Sequence, residues 1–314
     1  MKYKIFIIFI LAGLFIPLLA LVSCNPKPEK TEGVKLNANT PTPKPDNPDG
    51  EVIDPNGEVI DPNGEVIDPN GEVIDPNGGA ADQQDEALKQ GIIDYLIDFI
   101  IPAIKQTINI HTNTTWNEGK QDYIISGATQ FFGVIQYTDA KKQKKLYNTQ
   151  DDESKTARRE MYLGFGYFPP YIEAFGKLAN KMAATKNVQM KTELANMVDK
   201  IRQYARAYYL TAYNTLNDKQ DKLMKLDLND IETLRTKLQA IHSANNGINS
   251  IISSIQKDYH EDIKIGTAKH QLKTTATAEE IQKYLKDKFD SAESDFDKAI
   301  NTANEIAGIL NKIQ

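Results

Sequence analysis

One cysteine, one tryptophan and four histidines are all that 314 residues offer of the types that most often carry chemistry. A single cysteine excludes an intramolecular disulfide framework and any thiolate cluster such as a four-cysteine zinc site. Four scattered histidines leave little material for a His-rich metal centre. Basic excess is also missing: the formal charge is −6, opposite to the footprint of a dedicated nucleic-acid binder. No Gly-x-Ser-x-Gly elbow occurs. His260-Glu261 is followed by Lys264 where a zincin needs its second histidine, and Gly119-Lys120 lacks the glycine and hydroxyl pattern of a phosphate loop. No catalytic constellation, cofactor motif or metal site is legible, so the reading is a binding or structural protein and not an enzyme.

What is present falls into three segments. Lys2 and Lys4 precede an almost unbroken apolar run from Ile5 to Leu21, which ends at Leu21-Val22-Ser23-Cys24 and turns polar at Asn25. That ending resembles the bacterial lipobox, and residues 1–23 read as a lipoprotein signal peptide with Cys24 as the lipid attachment site. A membrane-spanning helix is the competing reading, but 17 apolar residues lie at the bottom of the spanning range. One acyl chain anchors only marginally, so stable attachment implies several. The expected location is the bacterial outer membrane, lipid-anchored at the cell surface.

Residues 24–80 read as a disordered tether. Gly-Glu-Val-Ile-Asp-Pro-Asn recurs four times in tandem over residues 50–77. A proline in every heptad excludes a coiled coil. Asp-Pro-Asn-Gly suits a type I turn, and Glu-Val-Ile between turns can be briefly extended. A flexible coil of this length spans roughly 40 Å, and eight acidic side chains with no base favour extension. Because the leader carries two lysines, residues 24–49 balance and the repeats hold those eight acids, residues 78–314 are formally neutral.

Residues 81–314 read as one all-α bundle of about five to seven helices. Leu88, Ile92, Leu96 and Phe99 make one stripe, which Pro102 kinks or ends. Tyr123 to Tyr137 is apolar but glycine-interrupted, and either helix or strand fits. Ala157 to Leu163 reads as helix, and Pro169-Pro170 opens another. Three long helices follow, about 40 to 50 Å each. Their stripes run Leu194 to Leu216, Ile231 to Tyr259 after the capping candidate Asn229, and Ile281 to Leu310 after the capping box of Thr277 and Glu280.

Ala157-Arg158-Arg159-Glu160-Met161-Tyr162-Leu163-Gly164-Phe165-Gly166-Tyr167, with Ile172, Phe175-Gly176 and Leu178, is similar to a block of the Borrelia outer-surface lipoproteins grouped with complement-regulator-acquiring surface protein A. Leu234 to Asp258-Tyr259, Leu272, and Tyr284-Leu285 to Phe289 fit that family's later helices. The resemblance covers roughly residues 156–314 and rests on packing positions. It implies a helical domain on a lipid-anchored tether, display at the surface, and binding of host proteins. Complement factor H is the best-known ligand in one branch; other branches bind terminal complement components, plasminogen, or nothing known. The tandem acidic repeat departs from the factor-H-binding branch, and no ligand-contact motif carries over.

Candidate binding residues are few. Lys141, Lys142, Lys144 and Lys145 form a basic run suited to an anionic polysaccharide, or simply a solvated loop. Trp116 lies in the polar stretch His111 to Asp122 and either folds onto the bundle or stands exposed as a hot spot. Tyr204, Tyr208, Tyr209 and Tyr213 fit core packing better than an interface. His242 fits the boundary of its helix; His111, His260 and His270 fit loops or helix ends. Any projecting part of the terminal helix, with Phe289 and Phe296, could pair in a homodimer. The leading expectation is capture of a host plasma or matrix protein, a complement component or regulator, for immune evasion. The alternatives are an adhesin for glycosaminoglycan or extracellular matrix, and a structural surface lipoprotein without a specific ligand.

Overall fold

The computed structural model describes residues 78–313, with side chains from residue 83, and the backbone of three short strands within the repeats. The signal peptide, Cys24 and the rest of the tether lie outside the described residues. The chain divides into two units, Met1–Ile74 and Asp75–Gln314. In the first, β1 (Val52–Ile53), β2 (Val59–Ile60) and β3 (Val66–Ile67) pair antiparallel in that order, with Val52 opposite Ile60 and Val59 opposite Ile67. The extended stretches are the β-branched pairs, as their stiffness at χ1 favours.

The second unit is all-α apart from two small hairpins among the described residues. Its helices are α1 (Gly78–Tyr95), α2 (Ile101–Thr112), the one-turn α3 (Phe131–Val134), α4 (Asp152–Gly164), α5 (Pro169–Ala183) and α6 (Val188–Ala205). Then come the short α7 (Thr215–Asp218), α8 (Leu228–His260), α9 (Ala278–Ser291) and α10 (Glu293–Leu310). Two π-helical segments, Leu96–Ile100 and Arg206–Asn214, join α1 to α2 and α6 to α7 without a break. Counted as continuous rods and leaving out the one-turn α3, the described residues hold seven. Helix α1 begins three residues inside the stretch read as tether.

Several details differ from the sequence reading. Pro102 does not end its helix. The π turn before it bonds Ile101 N–H to the Leu96 carbonyl, five residues back, and the proline falls in the first turn of α2. The extra residue of that turn rotates the stripe. Ile92, Ile93, Leu96, Ile100, Ile101 and Ile108 are buried, whereas Leu88 and Phe99 stand 44% and 53% exposed. Helix α8 is capped by Asp227, whose side chain accepts from Asp230 N at 2.7 Å, and not by Asn229. The terminal helix breaks at Ala292, so α9 and α10 are separate rods. Tyr123 to Tyr137 is mostly irregular, with α3 and strand β4 (Gln136–Thr138) at its end.

The core centres on α8 and α10. At 33 residues, α8 is about 50 Å long. Its stripe Ile231, Leu234, Leu238, Ile241, Ile248, Ile252 and Ile255 meets Phe296, Ala299, Ala303, Ile306 and Leu310 of α10. Because α10 folds back onto its own chain, that stripe is already covered, Phe289 and Phe296 stacking 5.9 Å apart. The four tyrosines of the α6–α7 rod are buried, Tyr204 donating to Asn245 of α8. Gly164 sets the approach of α4 to α6, since a Cβ there would collide with Ile201 Cγ2. The capping box of α9 is formed: Thr277 accepts from Glu280 N at 3.3 Å while Glu280 accepts from Thr277 N at 3.0 Å. Thr277→Ala will cost about 1 kcal/mol of stability, read as a lowered denaturant midpoint with unchanged slope.

Candidate functional site: a polar cleft walled by Trp116

Helix α4 organises the site because three successive side chains leave it in three directions. Arg158 is 5% exposed; its Nε donates to both carboxylate oxygens of Glu118 at 2.9 Å, and its Nη1 donates to the carbonyls of Tyr147 and Thr149. Arg159 closes the end of α2, donating to the carbonyls of Ile110 at 2.6 Å and Asn113 at 3.0 Å. A cation at a helix C-terminus also complements the helix dipole. Glu160 points the other way and accepts from Arg202 at 2.8 and 2.9 Å and from Arg206 at 3.2 Å. Arg202 in turn donates to the Tyr147 hydroxyl at 3.1 Å and lies over the Tyr137 and Tyr147 rings.

Above Arg158 lies a cleft of about 680 Å³, between the 114–127 loop and the start of α4. One wall is Trp116, half-buried, with its indole fixed by three neighbours. The Arg159 guanidinium sits 5.2 Å from the ring, Tyr167 meets it edge-on at 5.2 Å, and Tyr162 lies 5.8 Å away. The floor is Glu118, 22% exposed, which also accepts from the Tyr162 hydroxyl at 2.6 Å. Burial, with the Glu118 charge next, raises the Tyr162 pKa well above its usual value, so it stays a neutral donor. Burial likewise pushes Tyr123 up to about 12.

The opposite rim is strained. Asp122 and Ile124 both have φ of 54°, a left-handed conformation that is an outlier for a β-branched residue. Ile124 is 52% exposed, while Tyr123 and Ile125 on either side of it are buried. Asn180 of α5 latches this loop, donating to the Ile124 carbonyl at 3.0 Å and accepting from Phe131 N at 2.9 Å. Gly133 is required beneath it, because a Cβ there would overlap the carbonyls of Gly127 and Ala128. Backbone strain held by such supports is a feature of binding sites.

The basic run is distributed over the hairpin of β4 (Gln136–Thr138) and β5 (Lys144–Leu146). Lys145 is enclosed by carboxylates, 2.9 Å from Glu153 and 3.6 Å from both Asp139 and Asp151. Its bond with Glu153 raises its pKa, and the Thr149 hydroxyl bond, followed by the Ser154 N–H, lowers that of Asp151. Lys144 donates to Thr138 at 2.9 Å, while Lys141 and Lys142 are exposed at the turn. The four lysines therefore do not act as one patch. None of them lines the cleft.

His111 lies at the last turn of α2, its Nδ1 3.0 Å from the Tyr167 hydroxyl. Burial, then the Arg159 charge, lower its pKa to about 4. An unfolded histidine binds its proton near 6.5, so between about 6.5 and 4 the unfolded chain holds the extra proton. Stability is therefore full above that window and falls as pH drops through it. With partial exposure discounted, the loss due to His111 is about 1–2 kcal/mol. His111→Asn will flatten this slope in thermal melts between pH 7 and 4.5, leaving the contribution of His242, whose pKa burial also lowers. Among the described residues, no cluster of His, Cys, Asp and Glu is placed to hold a metal, and no helix is long and apolar enough to cross a membrane.

A profile of the family described as Borrelia Bbcrasp-1 domain containing protein matches residues 93–311. The chain belongs to that family. Among solved structures, the Lyme disease associated outer surface protein BBA65 from Borrelia burgdorferi superposes with a TM-score of 0.53 at 16% identity, covering 69% of this chain and 99% of that one. The Borrelia burgdorferi outer surface lipoprotein BBA64 gives 0.49 at 15% identity, covering 74% and 100%. Outer surface protein BBA66 of the same organism gives 0.49 at 14%, covering 69% and 99%. No curated protein matches the sequence. The match to BBA65 is one of fold, and it agrees with the Bbcrasp-1 assignment of the helical unit.

Proposed function

We propose that this Bbcrasp-1-domain chain is a lipid-anchored protein of the bacterial outer surface that captures a host protein non-covalently through the Trp116 cleft, for immune evasion. The observation that carries the reading is the rim: a rigidly held indole faces a polar cleft beside an exposed isoleucine kept in a strained backbone conformation. Large apolar groups on rigid supports are the usual anchors of an interface, and here one of them, Ile124, is held in a strained backbone conformation. The lipobox-like leader and the membership of the family support display at the surface. A complement component or regulator is the ligand class that the family resemblance implies.

The test is surface plasmon resonance of the full chain against factor H, C7, C9 and plasminogen. Saturable binding to one of them supports the complement version, and no saturable binding to any removes it. Adhesion to an anionic polysaccharide is a weaker second reading, supported only by the exposure of Lys141 and Lys142.

A further inference from the structure

Several polar groups that line the cleft have hydrogen-bonding capacity to spare. Gln130 spends its Oε1 on Gly127 N at 2.6 Å, leaving its Nε2. Arg158 spends Nε and Nη1, leaving Nη2. The Asn148 side-chain amide and the Lys155 ammonium have no hydrogen-bond or ion-pair partner among the described residues. All four line the same space as Trp116.

The charges in that lining cancel. Glu118 and Asp122 face Lys155 and Arg158, two carboxylates against two cations. A highly charged ligand thus meets no field of opposite sign. A wholly apolar ligand would strand amide and guanidinium donors, each costly to leave unpaired once water is excluded. What suits this wall is a molecule with an apolar face for the indole and many groups that both donate and accept. Hydroxyls do both, so one ring of them can satisfy amide N–H groups and carboxylate or amide oxygens together. The volume lies within the range of about 300–1,000 Å³ usual for small-ligand sites.

We propose that the cleft binds an uncharged saccharide unit. The sugar's C–H face packs on Trp116, and its hydroxyls bond to Asn148, Gln130 Nε2, Arg158 Nη2 and the free lone pairs of Glu118. This deepens the capture reading and rests on it: the recognised part of the host protein is a neutral sugar of its glycan. Trp116 stays ordered without ligand because Arg159, Tyr162 and Tyr167 already hold it, so little ordering cost falls on binding.

Trp116 is the one tryptophan in the chain, so its emission reports this cleft alone. The full chain in detergent is titrated with lactose, chitotriose and mannotriose, and with sialyllactose and a heparin tetrasaccharide as charged counterparts. A saturable emission change with at least one neutral sugar is expected, with affinity falling about tenfold or more in Asn148→Ala while the helical circular dichroism is unchanged. No saturable change with any neutral sugar up to about 20 mM, or a response to the charged sugars only, overturns the proposal. A second arm measures binding to factor H, C7, C9 and plasminogen before and after enzymatic removal of their glycans. Capture that survives deglycosylation at unchanged affinity overturns the saccharide inference and leaves host-protein capture standing. Capture lost on deglycosylation supports both.

Discussion

Arg202→Ala will destabilise the helical unit by about 3–5 kcal/mol, the cost of stripping one partner from a buried ion pair. For a unit of this size that is a fall in melting temperature of roughly 10 °C. The side chains of Arg202 and Glu160 are 7% and 9% exposed, so water cannot replace the lost bonds. Arg206 remains 3.2 Å from the carboxylate but is 43% exposed, which makes it a poor substitute. The same substitution removes the cation over the Tyr137 and Tyr147 rings and the donor to the Tyr147 hydroxyl. Arg202→Lys keeps the charge but loses the planar fork, and will recover only part of the loss. Pairing Arg202→Met with Glu160→Gln will recover most of it, because no charge is then left buried and unpaired. Chemical denaturation of the three variants gives the comparison. Equal destabilisation in the single and double variants would show that packing, and not the ion pair, carries the effect.

Arg158→Met acts on the cleft as well as on stability. The arginine holds Glu118 across 40 residues of sequence and also ties down the carbonyls of Tyr147 and Thr149. Its loss leaves two carbonyls short of a donor and Glu118 with the Tyr162 and Ser126 hydroxyls. A cost of about 2–4 kcal/mol follows, below that of Arg202 because Glu118 is 22% exposed and partly hydrated. The floor of the cleft then loosens, and Trp116 emission will shift to the red as water reaches the indole. Emission identical to wild type would mean that the Glu118–Arg158 pair does not shape the Trp116 wall.

Much of the scaffold is written locally in the sequence. The capping box at Thr277, the Pro169-Pro170 start of α5 and the stripe of α8 each follow from a few neighbouring residues, and each is formed. The π turn at Leu96–Ile100 is not local in this sense, since whether an extra residue fits a helix depends on what packs against it. That is why Phe99 reads as core from its spacing yet lies exposed. The break at Ala292 likewise has no glycine or proline to announce it. For the site, the Arg158-Arg159-Glu160 block reads as packing, which holds for Arg159 and Glu160 but misses that Arg158 floors a cleft. Its partner Glu118 sits in an unpatterned Asn- and Thr-containing stretch, and no periodicity links residues so far apart. The one available signal is the lone tryptophan in that polar stretch. The structure packs it onto the domain and leaves it lining the cleft. The basic run, by contrast, looks continuous in sequence and is divided in space, because a hairpin turns Lys145 toward Asp139, Asp151 and Glu153.

Ile124→Asn tests most directly whether the cleft rim is the capture surface. Asparagine adopts the left-handed backbone of this position more readily than isoleucine, and the side chain it replaces is 52% exposed. The fold should therefore gain about 0.5–1 kcal/mol, while the apolar anchor at the rim is gone. Melting temperature and affinity for whichever host protein the full chain captures are measured side by side on the variant and the wild type. The predicted result is a melting temperature equal or higher, together with affinity reduced about tenfold or more. A variant that is equally stable and binds as tightly as the wild type would contradict the account, since capture would then proceed elsewhere on the surface.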